Sequence, residues 1–230
     1  MHCQLDHDQK YDRLQEYITI IQNLTQNAGE NIDFDGEYYN VSGLKIPTFI
    51  PEDLLPGYFI AGHSDAAEKT RDRIGAIGMK MLLPELENAV TDRGIHFGVV
   101  CRETHEDAWE AANKNFPEDE RGQKLLKLSM SNTDSVWKKR LMFAENTADQ
   151  SDSGYWLAPF RNFQADCPYF VGSRNELSNL IIALIKAGVD EFILDLCAGE
   201  EEFENCAKAF QAAKAHLAGE ADAPLLRDNS

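Results

Sequence analysis

One segment near the middle of the chain constrains its fold more than any other, because a buried strand there runs directly into a helix. Apolar residues are almost continuous from Ile95 to Val100, as in parallel strands that are covered on both faces. Thr104 follows at the position of a helix N-cap, and Asp107 stands where a carboxylate stabilises the first helical turn. Such junctions build α/β enzymes, whose active sites lie at the carboxyl ends of the strands. The segment therefore predicts an α/β protein with a parallel sheet.

Three further segments have the length and apolar character of parallel strands. The four predicted strands are Tyr58 to Ala61, Met79 to Leu83, Ile95 to Cys101 and Glu191 to Leu196. The dipeptide Asp35-Gly36, which two-residue turns favour, predicts a β-hairpin ahead of them. A helical insertion is predicted between Ala108 and Ala148.

Helix signals surround these strands. Tyr11, Leu14 and Ile18 recur at helical spacing and predict a first helix with one buried face. Ser173 and Glu176 stand in capping-box spacing ahead of an apolar helix that Gly188 ends. We predict one domain over residues 1–217. The small, charged and proline residues of 218–230 predict a flexible tail or linker.

Charge and composition argue against nucleic-acid binding, a membrane span, a cysteine metal site and a disulfide framework. The formal net charge of -17 opposes binding to nucleic acid. The longest apolar run, Leu180 to Ile185, is far shorter than the roughly 20 residues that cross a bilayer, and no basic and then apolar leader begins the chain. The five cysteines lack Cys-x-x-Cys spacing, so neither a metal site nor a disulfide framework is predicted. We therefore expect a cytoplasmic protein in a reducing compartment.

Two motifs carry a resemblance to a known enzyme family. The strand that ends at Cys101 continues as Arg-Glu-Thr, a short acidic run and Ala108-Trp109, and the segment from Ser131 to Val136 contains Thr-Asp-Ser-Val. Together they resemble the flavin-dependent monooxygenases of the bacterial luciferase-like superfamily, most closely the alkanesulfonate monooxygenases. The resemblance covers nearly the whole chain, to about Leu217.

The resemblance implies a TIM barrel of which this chain carries the C-terminal half. Such barrels place eight strand-helix units in about 250 residues, and only four barrel strands are predicted here. A half-barrel exposes its inner face and two strand edges, which favours pairing with another chain. We therefore expect a homo-oligomer, an N-terminal barrel half that lies elsewhere, or a truncated gene product.

The cofactor residues that the resemblance implies follow the first predicted strand. Gly62, His63 and Ser64 precede a predicted helix, whose free amides and dipole favour an anion. In the resembling enzymes a Gly-Ser-Ser-Asp loop at this point helps to hold the phosphate of FMN, and the three residues are expected to take that role. The alternative is that Ser64 only caps the helix and His63 is a surface residue.

His96 is the first of two implied catalytic residues. The sulfonate-processing members carry an Arg-x-His pair on this strand, and here His96 stands at the arginine and Gly98 at the histidine. Alternate strand positions share a face, so His96 is expected to offer a proton or a hydrogen bond near the flavin. The alternative is a histidine with its partners in the core. Cys197 stands where those enzymes have a tyrosine, and is predicted to be a small packed side chain.

Arg161 is the second implied catalytic residue. It lies in the aromatic segment Tyr155 to Gln164, ahead of a predicted loop from Cys167 to Ser173. In the resembling enzymes this region is a mobile lid whose arginine closes over sulfonate and flavin, although Arg161 stands two positions early. A guanidinium is suited to such an anion. The alternative is a loop packed over the barrel end with Arg161 solvated.

The resemblance thus implies an FMN-dependent monooxygenase. It would receive reduced FMN from a partner flavin reductase and use O₂ to oxidise a small organic substrate such as an alkanesulfonate. The departures at His96, Gly98 and Cys197 favour an alternative, a tailoring monooxygenase of a polyketide or nonribosomal peptide pathway, which the linker-like tail also fits. A catalytically silent half-barrel is a further alternative.

Overall fold

In a computed structural model the chain alternates strands and helices around a parallel sheet, which confirms the predicted α/β class. The structure describes residues 5–62, 64–84, 93–131, 133, 135, 138–139, 141, 153–196 and 199–221. Two predicted positions, His63 and Cys197, lie outside the described residues. The chain divides into two compact units, Met1–Met79 and Lys80–Ser230.

The first unit contains the predicted hairpin and the first two predicted barrel strands. Its elements are α1 (His7–Gln26), β1 (Ile32–Asp35), β2 (Asn40–Leu44), β3 (Phe59–Ile60), α2 (Asp65–Ile74) and β4 (Ile77–Met81), which runs into the second unit. Strands β1 and β2 are antiparallel, and β3 and β4 are parallel.

The core of the first unit lies between α1, β3 and α2. Ile60 and Ile74 are buried there, and Tyr11, Leu14 and Ile18 of α1 pack against them. The apolar face predicted for the first helix is therefore confirmed at these three positions. The helix begins at a capping box, because Asp6 accepts the Gln9 amide at 2.8 Å while the Gln9 side chain accepts the Asp6 amide at 3.0 Å.

The predicted hairpin is confirmed, but its turn is wider than Asp35-Gly36 indicates. Four residues, Gly36 to Tyr39, connect the strands. The carboxylate of Glu16 on α1 accepts hydrogen bonds from the three amides after Gly36, at 2.8 to 3.0 Å. Charge-assisted bonds of this kind are stronger than neutral ones, and they hold the longer loop against the helix.

The second unit is built around β5. Its elements are β5 (Gly94–Arg102), α3 (His105–Asn115), α4 (Glu120–Met130), β6 (Tyr155–Trp156), α5 (Ala158–Arg161), β7 (Tyr169–Ser173), α6 (Arg174–Lys186), β8 (Glu191–Leu196) and α7 (Glu200–Ala221). Strand β5 pairs in parallel with both β8 and β7, and β6 pairs antiparallel with β7.

Strand β7 stands where the sequence predicts a loop from Cys167 to Ser173. The loop prediction is wrong from Tyr169 onward, because this segment runs beside β5 in register from Gly98 to Arg102. Pro168 and Gly172 flank a short apolar run and conceal it in the sequence, but Tyr169 and its two successors are buried.

The two faces of β5 have different surroundings. Phe97 and Val99 face a core to which α6 and α7 contribute Leu177, Ile181 and Ala209. The opposite face carries His96, Gly98 and Val100, and α3 covers it at Val100. One face of the strand is thus closed by α6 and α7, whereas the other carries His96, the predicted catalytic residue that lies on this strand.

A capping box marks the start of α6, and α7 extends beyond its predicted end. Ser173 accepts the Glu176 amide at 3.2 Å while Glu176 accepts the Ser173 amide at 2.7 Å, which confirms the predicted capping box of α6. Helix α7 continues to Ala221, four residues into the segment predicted as a tail, and residues 222–230 lie outside the described part. None of the described helices combines the length and the apolar character needed to cross a bilayer.

Candidate functional site

The predicted cofactor loop lies between β3 and α2. Ser64 is the N-cap of α2, because its Oγ accepts the Ala67 amide at 3.2 Å. The same Oγ lies 2.9 Å from Nε2 of His7 on α1. The capping role is thus observed, and it brings to the loop a histidine that the sequence did not single out.

Gly62 stands where a side chain has no space. An added Cβ would collide with the Tyr11 hydroxyl and would lie 2.7 Å from the Ala67 methyl group. The loop therefore requires glycine for close packing against α1 and α2. This packing closes the Tyr11 side of Gly62, so a ligand would approach the loop from the Ser64 side.

The Ser64 side of the loop has groups that fit one side of a phosphate. A serine hydroxyl, an imidazole and the amides at the start of a ten-residue helix are recognised phosphate-binding groups. Asp65 and Glu68 lie in the same first turn and add negative charge that weakens the binding of an anion. The loop can therefore hold one side of an FMN phosphate, and a strong site requires further cations.

His96 lies midway along β5 and is half-buried. Burial lowers the pKa of His96, while the negative charges of Asp195 and Asp166 act in the opposite direction. The net shift is downward, so the imidazole is neutral at neutral pH. A neutral imidazole can accept a proton or a hydrogen bond, but it cannot neutralise an anion.

The position beside His96 on the same face is filled by an aromatic ring from β7. An added Cβ at Gly98 would collide with the ring of Tyr169, which is buried and pairs with Gly98 in register. The ring also packs edge-on against Phe116, with centroids 4.8 Å apart. The face therefore carries an apolar surface where the resembling sulfonate enzymes carry a histidine.

Strand β8 brings a carboxylate to this face. Asp195 pairs with Gly98, and Ile193 pairs with His96, so all four positions share a side of the sheet. The Cys167 thiol donates a long hydrogen bond to Asp195, with Sγ 3.9 Å from Oδ2. Burial raises the pKa of Cys167 to about 12, so the sulfur stays protonated. Cys167 is therefore the donor of this hydrogen bond, and Asp195 is the acceptor.

Arg161 ends α5 and has different neighbours. Leu157, Phe160 and Asn162 around it are buried, and the Asn162 amide oxygen accepts a 3.0 Å hydrogen bond from Gln123 of α4. The segment is thus packed, while Arg161 itself is half-buried rather than solvated. Burial lowers the pKa of Arg161, but a guanidinium stays charged at neutral pH.

The arginine of the Arg-Glu-Thr motif is held inside the protein. Nη1 of Arg102 lies 2.6 Å from the buried carboxylate of Glu202 and donates to the Cys101 carbonyl at 2.7 Å. Arg174 pairs with Glu103 in the same cleft and donates to Asn205 at 3.0 Å. The motif therefore joins the carboxyl end of β5 to α6 and α7, which is a structural role.

The sequence matches the model of a known family along most of the chain. The model of the family described as luciferase-like monooxygenase matches residues 1–191. The chain belongs to the luciferase-like monooxygenase family.

One curated relative and two solved structures define this similarity further. The chain is 22% identical over 210 residues to the 4-(gamma-L-glutamylamino)butanoyl-(BtrI acyl-carrier protein) monooxygenase BtrO of Niallia circulans, covering 86% of this chain and 61% of BtrO. The EDTA monooxygenase EmoA from Chelativorans sp. BNC1 matches 94% of this chain with a TM-score of 0.61 at 14% identity. Riboflavin lyase RcaE, solved with modified FMN and riboflavin, matches 95% with a TM-score of 0.60 at 17% identity.

These matches show a partial luciferase-like barrel. The chain spans 59% to 61% of the length of these three proteins, and the likeness to the two solved structures supports the TIM-barrel fold. His96 and Gly98 could be identified from sequence as site positions, whereas His7, Tyr169 and Asp195 were missed. His7 and Tyr169 depend on tertiary contacts that no sequence pattern reveals. The face on which Asp195 lies could have been inferred from the alternation of apolar residues along β8.

Proposed function

We propose that this chain, together with the barrel half that its relatives carry in addition, is an FMN-dependent monooxygenase. It takes reduced FMN from a partner flavin reductase, reacts with O₂ and oxidises a small organic substrate in the cytoplasm. Membership of the luciferase-like monooxygenase family supports the reaction class, and the FMN in the RcaE structure supports the cofactor.

The proposed roles follow from the groups that each loop and strand offers. Gly62, His63 and Ser64 hold one side of the FMN phosphate, and His7 strengthens the contact at the Ser64 hydroxyl. When bound, reduced FMN supplies the electrons that activate O₂. His96 accepts a hydrogen bond or proton from the substrate, and Arg161 stabilises developing negative charge with its paired donors.

The substrate class is inferred from the chemical groups on the face of the sheet around His96. It presents a neutral imidazole, the Tyr169 ring over Gly98, the apolar Ile193 and the carboxylate of Asp195. An alkanesulfonate, which the resemblance implies, would meet a negative charge here instead of a cation. The face therefore favours an uncharged or amine-bearing organic substrate over an alkanesulfonate.

The second candidate is a tailoring monooxygenase that acts on an acyl chain attached to a carrier protein. The name of BtrO specifies an acyl-carrier-protein substrate with an amide-linked amino acid. Such a chain carries N–H donors that suit a neutral His96 beside Asp195. Carrier-bound and free substrates can be compared directly in the same assay.

The test is an oxygenation assay with isotopically labelled O₂. The chain, supplied with the missing barrel half, is incubated with FMN, a flavin reductase and its nicotinamide donor, and with matched sets of alkanesulfonates, amines, amides and carrier-bound acyl chains. We expect labelled oxygen in an organic product that depends on FMN and the reductase. Labelled product from alkanesulfonates alone would contradict the substrate assignment, and no product from any set in a protein that binds FMN would support the silent half-barrel.

Two substitutions test the proposed catalytic residues in that assay. Arg161→Ala removes a charge-assisted contact and is expected to lower the rate by roughly 30-fold to 1,000-fold. His96→Ala removes a proton acceptor, whose contribution is typically about 100-fold or more. Lys139→Ala, which removes an exposed cation of the same unit, is the control. If Arg161→Ala matches this control, Arg161 has no role in the reaction.

A further inference from the structure

On the described face of β5 and β8, a carboxylate that the family resemblance does not assign, Asp195, lies near the predicted catalytic histidine. His96 and Asp195 lie on adjacent parallel strands and on the same side of the sheet, because His96 pairs with Ile193 and Asp195 stands two residues farther along β8. The residue that pairs with Asp195 is Gly98, so no side chain on β5 separates the two groups. The Tyr169 ring occupies the space above Gly98 from the β7 side.

Asp195 accepts a hydrogen bond from a neighbouring thiol. The Cys167 thiol is buried and protonated, and it donates to Asp195 Oδ2. This bond leaves the other carboxylate oxygen, Oδ1, for a second donor. A carboxylate fixed on a strand beside an imidazole orients the ring and stabilises its protonated form, whereas a mobile carboxylate does so less effectively.

The other charges near His96 cannot replace Asp195. Asp166 also acts on His96, but it is exposed, and Lys138 neutralises it through an ion pair of 2.9 Å. Cys167 contributes no charge because its thiol is protonated. Tyr169 stands on the β7 side of the same face. Two carboxylates therefore act on His96, and a cation neutralises only Asp166. Within the part of the chain that the structure describes, no ion pair is seen at Asp195.

We propose that Asp195 is a positioning residue for His96 and that the two form a proton-accepting subsite for a substrate group that donates a hydrogen bond. A hydroxyl, amide N–H or ammonium group meets these requirements, whereas a sulfonate does not. Asp195 orients the imidazole and stabilises the imidazolium that forms when His96 accepts the proton. The use of this subsite in oxygenation rests on the proposed function, but the coupling of the two side chains does not.

The coupling is measured by NMR titration of the His96 ring in the full chain, with the His96 signal assigned through His96→Gln. Asp195→Asn and Asp195→Ser remove the charge, and both are expected to lower the pKa of His96. Asp195→Glu keeps the charge and is expected to stay near the wild-type value. Glu191→Gln is the matched control, because Glu191 lies on the same strand and its partner Gly94 shares the face of His96.

The relative size of the His96 pKa shift in these variants tests the proposal. The downward shift of the His96 pKa should be larger in Asp195→Asn than in Asp166→Asn and should be absent in Glu191→Gln. An unchanged His96 titration in Asp195→Ser and Asp195→Asn, or a larger shift in Asp166→Asn, overturns it. Circular dichroism on each variant identifies a loss of fold, and Asp195→Glu then still reports whether moving the charge moves the titration.

A kinetic measurement separates this inference from the proposed function. In an active enzyme, Asp195→Asn should lower kcat more than it raises KM and should displace the acidic limb of the pH profile to lower pH, in parallel with the NMR result. A shift of the His96 titration in a protein that never oxygenates a substrate would refute the proposed function and leave the coupling intact. Normal oxygenation by Asp195→Asn with an unchanged pH profile would overturn the positioning role.

Discussion

Cys101, Cys167 and Cys206 show how burial, with nearby negative charges adding to it, controls the reactivity of thiols in this protein. Burial raises the pKa of Cys101 and Cys167 to about 12 and that of Cys206 to about 11. The thiolate, which is the reactive form, is therefore scarce at neutral pH. Because the folded values lie above the unfolded value of about 8.5, these thiols favour the folded state below that pH. Their contribution is lost as the pH rises toward the folded values.

This protection predicts slow labelling of the three buried thiols. In a Cys3→Ser/Cys197→Ser background, we expect an aromatic disulfide reagent at mildly alkaline pH to leave Cys101, Cys167 and Cys206 unmodified in the native protein. Adding denaturant should release all three thiols within the dead time of the same assay. Rapid labelling of one thiol in the native protein, located by peptide mass spectrometry, would show that its surroundings are accessible.

The site shows how far single residues could be interpreted from sequence. Strand alternation correctly placed His96 and Gly98 on one face, because side-chain direction follows from local backbone geometry. The ring that fills the space at Gly98 comes from Tyr169, far along the chain and on a strand that the sequence did not predict. Only the tertiary fold reveals that contact, and the same is true of the His7 contact to Ser64.

At the scale of elements, the position of Arg161 depends on the packing of α5 against α4. Gly122 on α4 lies so close to the Asn162 carbonyl that an added Cβ would collide with it. Asn162 also donates to the Pro117 carbonyl at 3.4 Å, just before α4. A glycine in a helix usually lowers stability relative to alanine, but here it permits the close approach of two elements.

Two helical glycines therefore give opposite predictions. Gly122→Ala should lower the free energy of unfolding by about 1 to 3 kcal/mol, because the new methyl group must displace the backbone after Arg161. Gly219→Ala, the control, meets no atom within 4 Å and should leave stability unchanged or raise it by up to about 1 kcal/mol. Urea unfolding of both variants provides the comparison. Equal effects of the two substitutions would mean that α4 and α5 are not in close contact.

Elements with local signals were predicted well, whereas elements that depend on partners were not. The caps of α2, α3 and α6 follow from a serine or threonine before the helix, and the sequence contains that information within four residues. Strand β7 is held by its parallel pairing with β5, which no local pattern encodes. The hairpin turn is widened by a carboxylate from α1 for the same reason.

At the scale of the whole molecule, the number of barrel strands limits what this chain can bind. The predicted barrel strands correspond to β3, β4, β5 and β8, and the chain spans about 60% of its relatives. These four strands could be predicted from sequence because each has a clear apolar run, whereas the fifth parallel strand, β7, was missed.

The 230-residue chain by itself is therefore expected to bind FMN weakly. In the proposed function the Ser64 loop contacts only one side of the FMN phosphate, and Asp65 and Glu68 in the first turn of α2 oppose an anion. Losing roughly two charge-assisted contacts from the other barrel half costs about 3 to 6 kcal/mol, which is about 100-fold to 10,000-fold in affinity. Titration of FMN fluorescence should give a dissociation constant above the micromolar range, with Ser64→Ala weaker still and Ser42→Ala, a hairpin control, unchanged. Submicromolar binding by a chain that light scattering shows to be monomeric would prove that this half of the barrel holds the flavin without a partner.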